Sequence, residues 1–100
     1  MKYGLSDSEY AFLQEHLIAP LKARGARVFV FGSRATGKHK KFSDIDILYK
    51  NPTEVISNSE IYRLISFMED STFPYKIDLV CDSDLAASYR ANVEKSLIEI

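Results

Sequence analysis

Val28-Phe29-Val30-Phe31-Gly32-Ser33, followed after ten intervening residues by Asp44-Ile45-Asp46-Ile47-Leu48, is the stretch that decides how this chain folds. Val28 to Phe31 is too continuously apolar for a half-exposed strand and reads as a buried one, with Gly32 where the backbone leaves a sheet. A glycine at that point lets a phosphate approach the main chain closely. Ser33 then offers a hydroxyl and a main-chain N–H at the start of a short turn or helix, where unpaired donors and the local dipole favour an anion. Gly32 and Ser33 are therefore candidate contacts for the triphosphate of a nucleotide.

Side chains alternate along a strand, so Asp44 and Asp46 project together while Ile45 and Ile47 project the other way into a core. Two carboxylates in one small space repel unless one takes up a proton or a cation sits between them. Hard oxygen ligands at this spacing suit Mg²⁺. In Tyr75-Lys76-Ile77-Asp78-Leu79-Val80 the residues Tyr75, Ile77 and Leu79 share one face and leave Asp78 on the other, where it can join the pair from a neighbouring strand. A Gly-Ser after a strand, or an Asp-x-Asp, is commonplace when met alone. Acidic residues are depleted from strands, however, and here three of them have apolar neighbours on both sides. Asp44, Asp46 and Asp78 are accordingly the candidate metal ligands and catalytic carboxylates.

Phe31-Gly32-Ser33-Arg34-Ala35-Thr36-Gly37-Lys38 followed by Phe42-Ser43-Asp44-Ile45-Asp46-Ile47-Leu48 resembles the core of the minimal nucleotidyltransferases of the DNA polymerase beta superfamily. The pattern of that family is Gly-Ser, ten residues, Asp-x-Asp and a later Asp on another strand, and this chain matches it without a gap. The resemblance implies in-line attack by an acceptor hydroxyl on the α-phosphorus of ATP, with two Mg²⁺ ions neutralising the charge that develops and pyrophosphate leaving. Asp44 and Asp46 would hold the metals that grip the triphosphate. Asp78 would ligate the catalytic metal and take or steer the proton of the acceptor hydroxyl. The chain shows no segment that would hold an acceptor. The resemblance implies a separately encoded helical partner of the HEPN type, a toxin whose tyrosine receives AMP from the nucleotidyltransferase acting as antitoxin. Two other readings stand beside it: a non-catalytic module that binds nucleotide and neutralises a partner by contact, and half of a small-molecule, antibiotic-modifying nucleotidyltransferase.

Lys38, His39, Lys40 and Lys41 form a basic run in the loop between the two halves of the motif. A loop tethered at both ends of such a site lies near bound phosphates, so Arg34 and Lys38 are candidate triphosphate contacts through charge-assisted hydrogen bonds. His39 has no visible partner and receives no role. Ser43 reads as a residue that orients Asp44 or caps the strand, and Cys81 as a small buried apolar residue.

A length of 100 residues suits one domain, residues 1–100, with a modest core. Hydrophobic residues at 46% and charged ones at 27%, without low-complexity tracts, exclude a disordered chain. The net charge of -1 provides no global basic field, so stable nucleic-acid binding is not expected. One cysteine forms no internal disulfide and no apolar run is long enough for a membrane span, which fits a reducing cytoplasm.

The remaining elements follow from periodicity and caps. Ser6-Asp7-Ser8-Glu9 has the form of a capping box ahead of a helix carrying Tyr10, Leu13, Leu17 and Leu21, with Pro20 predicted to kink or split it before Gly25. Ser57-Asn58-Ser59-Glu60 repeats the cap ahead of Ile61, Leu64, Ile65 and Met68, and Phe73-Pro74 ends that helix. Strands are predicted over about 44–49 and 76–81. Asp82 or Ser83 is expected to cap a last helix in which Leu85, Tyr89, Val93 and Leu97 align. The order helix, strand, strand, helix, strand, helix predicts an α/β (α+β) fold, a small mixed sheet flanked by helices.

Overall fold

The computed structural model describes residues 2–100. A helical segment opens the chain: α1 (Asp7–Leu13), a wider π turn over Gln14–Ile18, and α2 (Ala19–Ala23). Its start is the predicted capping box, with Ser6 N–H donating to Glu9 Oε1 (2.8 Å) and Glu9 N–H to Ser6 Oγ (3.2 Å). The run is divided into segments just before Pro20, as predicted, although its residues keep right-handed helical dihedrals through Ile18 and Ala19. Proline lacks the N–H that an α-helix would direct to the residue four back, and the π turn places it at the start of α2 instead. Gly25, at φ +82°, ends the helix.

Strand β1 (Arg27–Phe31) follows, then a single helical turn α3 (Ser33–Thr36), β2 (Ile45–Lys50), α4 (Asn58–Asp70) and β3 (Ile77–Cys81). The strands lie in the order β3-β2-β1 with a fourth at the other edge, β1 antiparallel to β2, and β2 parallel to β3. A parallel pair needs a long crossover, and α4 supplies it. Ser57 caps α4 by accepting from Glu60 N–H at 3.2 Å. The Glu60 carboxylate does not complete the box, because it turns to Arg24, which also holds Glu54 at 2.9 Å.

The C-terminal stretch departs from its pattern. A 3-10 turn covers Asp82–Asp84, and the last helix, α5 (Ala87–Glu94), has Ala86 at its N-cap with no side-chain bond. Asp82 instead pairs with Arg90 (2.9 Å). Leu97 is not helical; the chain turns into β4 (Ile98–Glu99), which completes the sheet antiparallel to β1 and places Arg27 against Glu99. Helical spacing at the end of α5 yields to main-chain pairing along the open edge of β1, where unpaired donors and acceptors were available.

Val28, Val30, Ile45, Ile47, Tyr49 and Ile77 form the helix-covered face of the sheet and pack with Leu13, Leu17, Ile18, Leu21 and Met68 in one core. Phe29, Leu48, Asp46 and Asp78 alternate onto the opposite face. Ile45 and Ile47 are fully buried, one residue on either side of Asp46. Truncation of Ile47 to alanine is therefore expected to cost about 2–5 kcal/mol of folding stability, measured by urea unfolding. A loss under about 1 kcal/mol would show that β2 is not anchored by this face.

Candidate active site

Register brings the predicted carboxylates together. Asp46 lies opposite Asp78 in the parallel β2/β3 pair and opposite Phe31 in the antiparallel β1/β2 pair. Asp44 precedes β2 by one residue and is exposed, as is Asp78, while Asp46 is half-buried. The three therefore occupy the end of the sheet at which β1 runs into the Gly32-Ser33 turn.

The turn is shaped around Asp46. Gly32 has φ +74° and ψ -153°, a conformation that L side chains rarely adopt. A Cβ at this position would collide with the Asp46 carboxylate. The missing side chain thus lets the backbone of the turn lie directly against one of the candidate metal ligands. Gly32 N–H donates to Ser96 Oγ (3.0 Å), a contact across 64 residues that no local pattern signals. Ser33 opens α3, whose first N–H groups have no acceptor within the helix. Thr36 and Ala35 donate back to the Gly32 carbonyl, and Gly37 ends the turn at φ +77°.

Arg34 and Lys38, both predicted as triphosphate contacts, part company here. Lys38 is exposed, with its N–H donating to the Ser33 carbonyl at 2.9 Å. Arg34 is only 2% exposed, and its guanidinium is committed to main-chain carbonyls of Tyr3 and Ser43, so in this structure it is not displayed to a phosphate. Ser43 orients the approach to Asp44 through two contacts: its Oγ accepts from Lys40 N–H (2.8 Å) and its carbonyl accepts from Arg34. Cys81 is half-buried, with Sγ 3.2 Å from Ser83 Oγ.

Burial, and then the charges of Asp78 and Asp44, push the Asp46 carboxyl above the usual aspartate value of 3.8, while Arg34 pulls it down. Burial is the larger cause, and the two neighbouring carboxylates add to it. Among the described residues no three His, Cys, Asp or Glu side chains form a ready-made cage. Mg²⁺ does not need one, since it is characteristically held by one or two carboxylates together with substrate phosphates and water. The donor set, all hard oxygens with excess negative charge, fits that ion. A hollow of about 500 Å³ is lined by His16, Arg24, Arg63 and Phe67 on the helical side.

The nucleotidyltransferase domain pattern matches residues 14–100 of the chain. The chain belongs to the nucleotidyltransferase domain family. It is 31% identical over 75 residues to a probable protein adenylyltransferase, MntA, of Haemophilus influenzae, a match covering 73% of this chain and 63% of that protein. The chain thus spans less than two thirds of that relative's length. A solved structure described as a minimal nucleotidyltransferase superposes with a TM-score of 0.67 at 28% identity, over 95% of this chain and 97% of the other. A toxin–antitoxin structure with AMP-PNP shares the fold at a TM-score of 0.66 and 20% identity, over 86% of this chain and 70% of that one. No helix among the described residues is long and apolar enough to cross a membrane.

Burial and like-charge crowding at Asp46 have a consequence for stability. The folded chain holds the Asp46 proton more tightly than the unfolded chain, so the cation-free domain loses stability as pH rises from 3.8 through the raised value. Asp46→Asn removes that component. At neutral pH without divalent cation the variant is expected to unfold at a higher urea concentration than wild type, and the difference is expected to close below pH 3.8. A lower midpoint for the variant at neutral pH would contradict the crowding.

Proposed function

We propose that this nucleotidyltransferase domain moves AMP from ATP to a hydroxyl of a macromolecular acceptor, a tyrosine of a helical HEPN-type toxin, and so acts as an antitoxin in a reducing cytoplasm. The observation that carries the reading is the in-register pairing of Asp46 with Asp78 beside a glycine turn that abuts Asp46. Support for a protein acceptor comes from the likeness to a probable protein adenylyltransferase, and support for the toxin pair from the fold shared with a toxin–antitoxin structure. The exposure of Asp44 and Asp78 is consistent with an acceptor that brings its own surface. All 100 residues are read as one such domain.

In this reading Gly32, Ser33 and Lys38 hold the triphosphate, with the Ser33 hydroxyl and amide toward its oxygens and the Lys38 ammonium as a mobile counter-charge. Asp44, Asp46 and Asp78 would hold two Mg²⁺ ions, which when bound neutralise the charge developing on the phosphate oxygens. Asp78, on the exposed edge strand, takes the proton as the acceptor oxygen bonds to the α-phosphorus. The bond from that phosphorus to the bridging oxygen breaks and pyrophosphate leaves. A carboxylate on the attacking side contributes to proton removal by about 100- to 10,000-fold in comparable settings.

Asp78→Asn is therefore expected to lower transfer of label from α-labelled ATP by at least about 100-fold while ATP binding persists. The assay is Mg²⁺-dependent labelling in a lysate of the source cell, resolved on a gel and by mass spectrometry. A protein band labelled by wild type alone, with AMP on a tyrosine, is the expected result. Label confined to a small molecule would favour an antibiotic-type enzyme, and ATP binding with no labelled product would favour neutralisation by contact. Wild-type rates in Asp78→Asn would remove Asp78 from the chemistry.

A further inference from the structure

Arg34 is the buried charged side chain whose burial the transfer chemistry leaves unused. It is 2% exposed, and none of the ion pairs among the described residues includes it. Desolvating a guanidinium costs several kcal/mol, so a chain keeps one only where its donors are satisfied. Here Nε–H and one Nη2–H donate to the Ser43 carbonyl at 3.1 and 2.7 Å, and Nη1–H donates to the Tyr3 carbonyl at 2.8 Å. The guanidinium also lies over the Tyr75 ring, 4.3 Å from its centroid.

Separate parts of the chain are shaped to receive it. Tyr3 and Gly4 both take positive φ, +55° and +75°, and the N-terminal segment closes on itself through Leu5 N–H to the Lys2 carbonyl (2.8 Å). A Cβ on Gly4 would lie 2.8 Å from Arg34 Nη1 and would run into the His39 ring. Tyr75 comes from the approach to β3, two residues before its first residue, Ile77. The N-terminal turn, the basic loop and the β3 approach therefore converge on one side chain.

We propose that Arg34 is a positioning residue of the nucleotidyl-transfer site, setting the distance between the Gly32-Ser33 turn and the Asp44 carboxylate. The reasoning is geometric. Arg34 directly follows Ser33 on α3, and the carbonyl it grips belongs to the peptide that joins Ser43 to Asp44. Two N–H groups converging on the Ser43 carbonyl oxygen restrain the position of that atom, and the planar peptide carries the restraint to the start of Asp44. The loop between can then vary in conformation without changing the spacing of its ends. Lysine, with a single ammonium on a flexible stem, lacks the planar fork. Groups that orient metal ligands from behind matter at the level of 10- to 100-fold in metal affinity.

The inference rests on the proposed Mg²⁺·ATP site, and the test separates the two. ATP affinity is measured by calorimetry with and without Mg²⁺ for wild type, Arg34→Lys and Tyr75→Leu, each first checked for cooperative thermal unfolding. The readout is the ratio of the two affinities, a quantity that a general loss of packing does not select. Wild type is expected to gain affinity with Mg²⁺, Arg34→Lys to lose about tenfold or more of that gain, and Tyr75→Leu about threefold through a loosened guanidinium. An undiminished gain in folded Arg34→Lys overturns the positioning role alone. If Arg34→Lys does not fold, an undiminished gain in Tyr75→Leu overturns it. Absence of any Mg²⁺-dependent gain in wild type overturns both the role and the site on which it rests.

Discussion

The structure depends on the register of β2 between two neighbours of opposite direction. β2 runs antiparallel to β1 and parallel to β3, so Asp46 faces Phe31 on one side and Asp78 on the other, while Ile45, Ile47 and Tyr49 point into the helical core. Side chains alternate with a period of two, and a slip by one residue would exchange the faces and expose that whole apolar set. Burial of each isoleucine contributes roughly 1.5–3 kcal/mol. Repulsion between carboxylates near the surface is of the order of 1–4 kcal/mol at close approach. The apolar face therefore wins, and the hydrophobic pattern that folds the sheet also holds its carboxylates together against their mutual repulsion. The raised proton affinity of Asp46 reflects its burial first and that repulsion second.

Two long-range contacts hold the turn that completes the site, and they come from opposite ends of the described chain. Ser96 accepts from Gly32 N–H, and Tyr3 accepts from Arg34 one residue beyond Ser33. The segments outside the recognisable motif are thus scaffold for it. β4 extends this support, since Ile98 and Glu99 pair with Val30 and Phe29, and Ile100 N–H donates to the Val28 carbonyl at 3.0 Å. Ile100 packs back against the core, while Ile98 keeps 38% of its surface exposed.

The charge arrangement is local throughout. A chain of net charge -1 has no field to attract a polyanion from a distance, but it places exposed lysines in the loop between the glycine turn and Asp44. Lys38, Lys40 and Lys41 stand in water and Arg34 does not, although all four occur within eight residues. On the proposed reading, the flexible Lys38 ammonium meets the triphosphate and the rigid guanidinium stays behind it, a division that suits their different geometry.

The sequence by itself determined β1 to β3, the caps at Ser6 and Ser57 and the candidate residues of the site. Ile45 and Ile47 alternating with Asp46, the unbroken apolar run from Val28 to Phe31, and Ser6 and Ser57 ahead of apolar periodicity are all signals carried by neighbours within a few residues. Only the tertiary structure decided what depends on partners far along the chain. It took Leu97 out of helical spacing and laid Ile98 and Glu99 on the edge of β1, placed Pro20 at the start of α2 behind a π turn, and sent Arg34 inward to Tyr3 and Ser43. The reason is physical: periodicity reports which face of an element is apolar. The direction taken by a long polar side chain and the pairing of a two-residue strand are settled by unsatisfied donors and acceptors that other segments bring within reach.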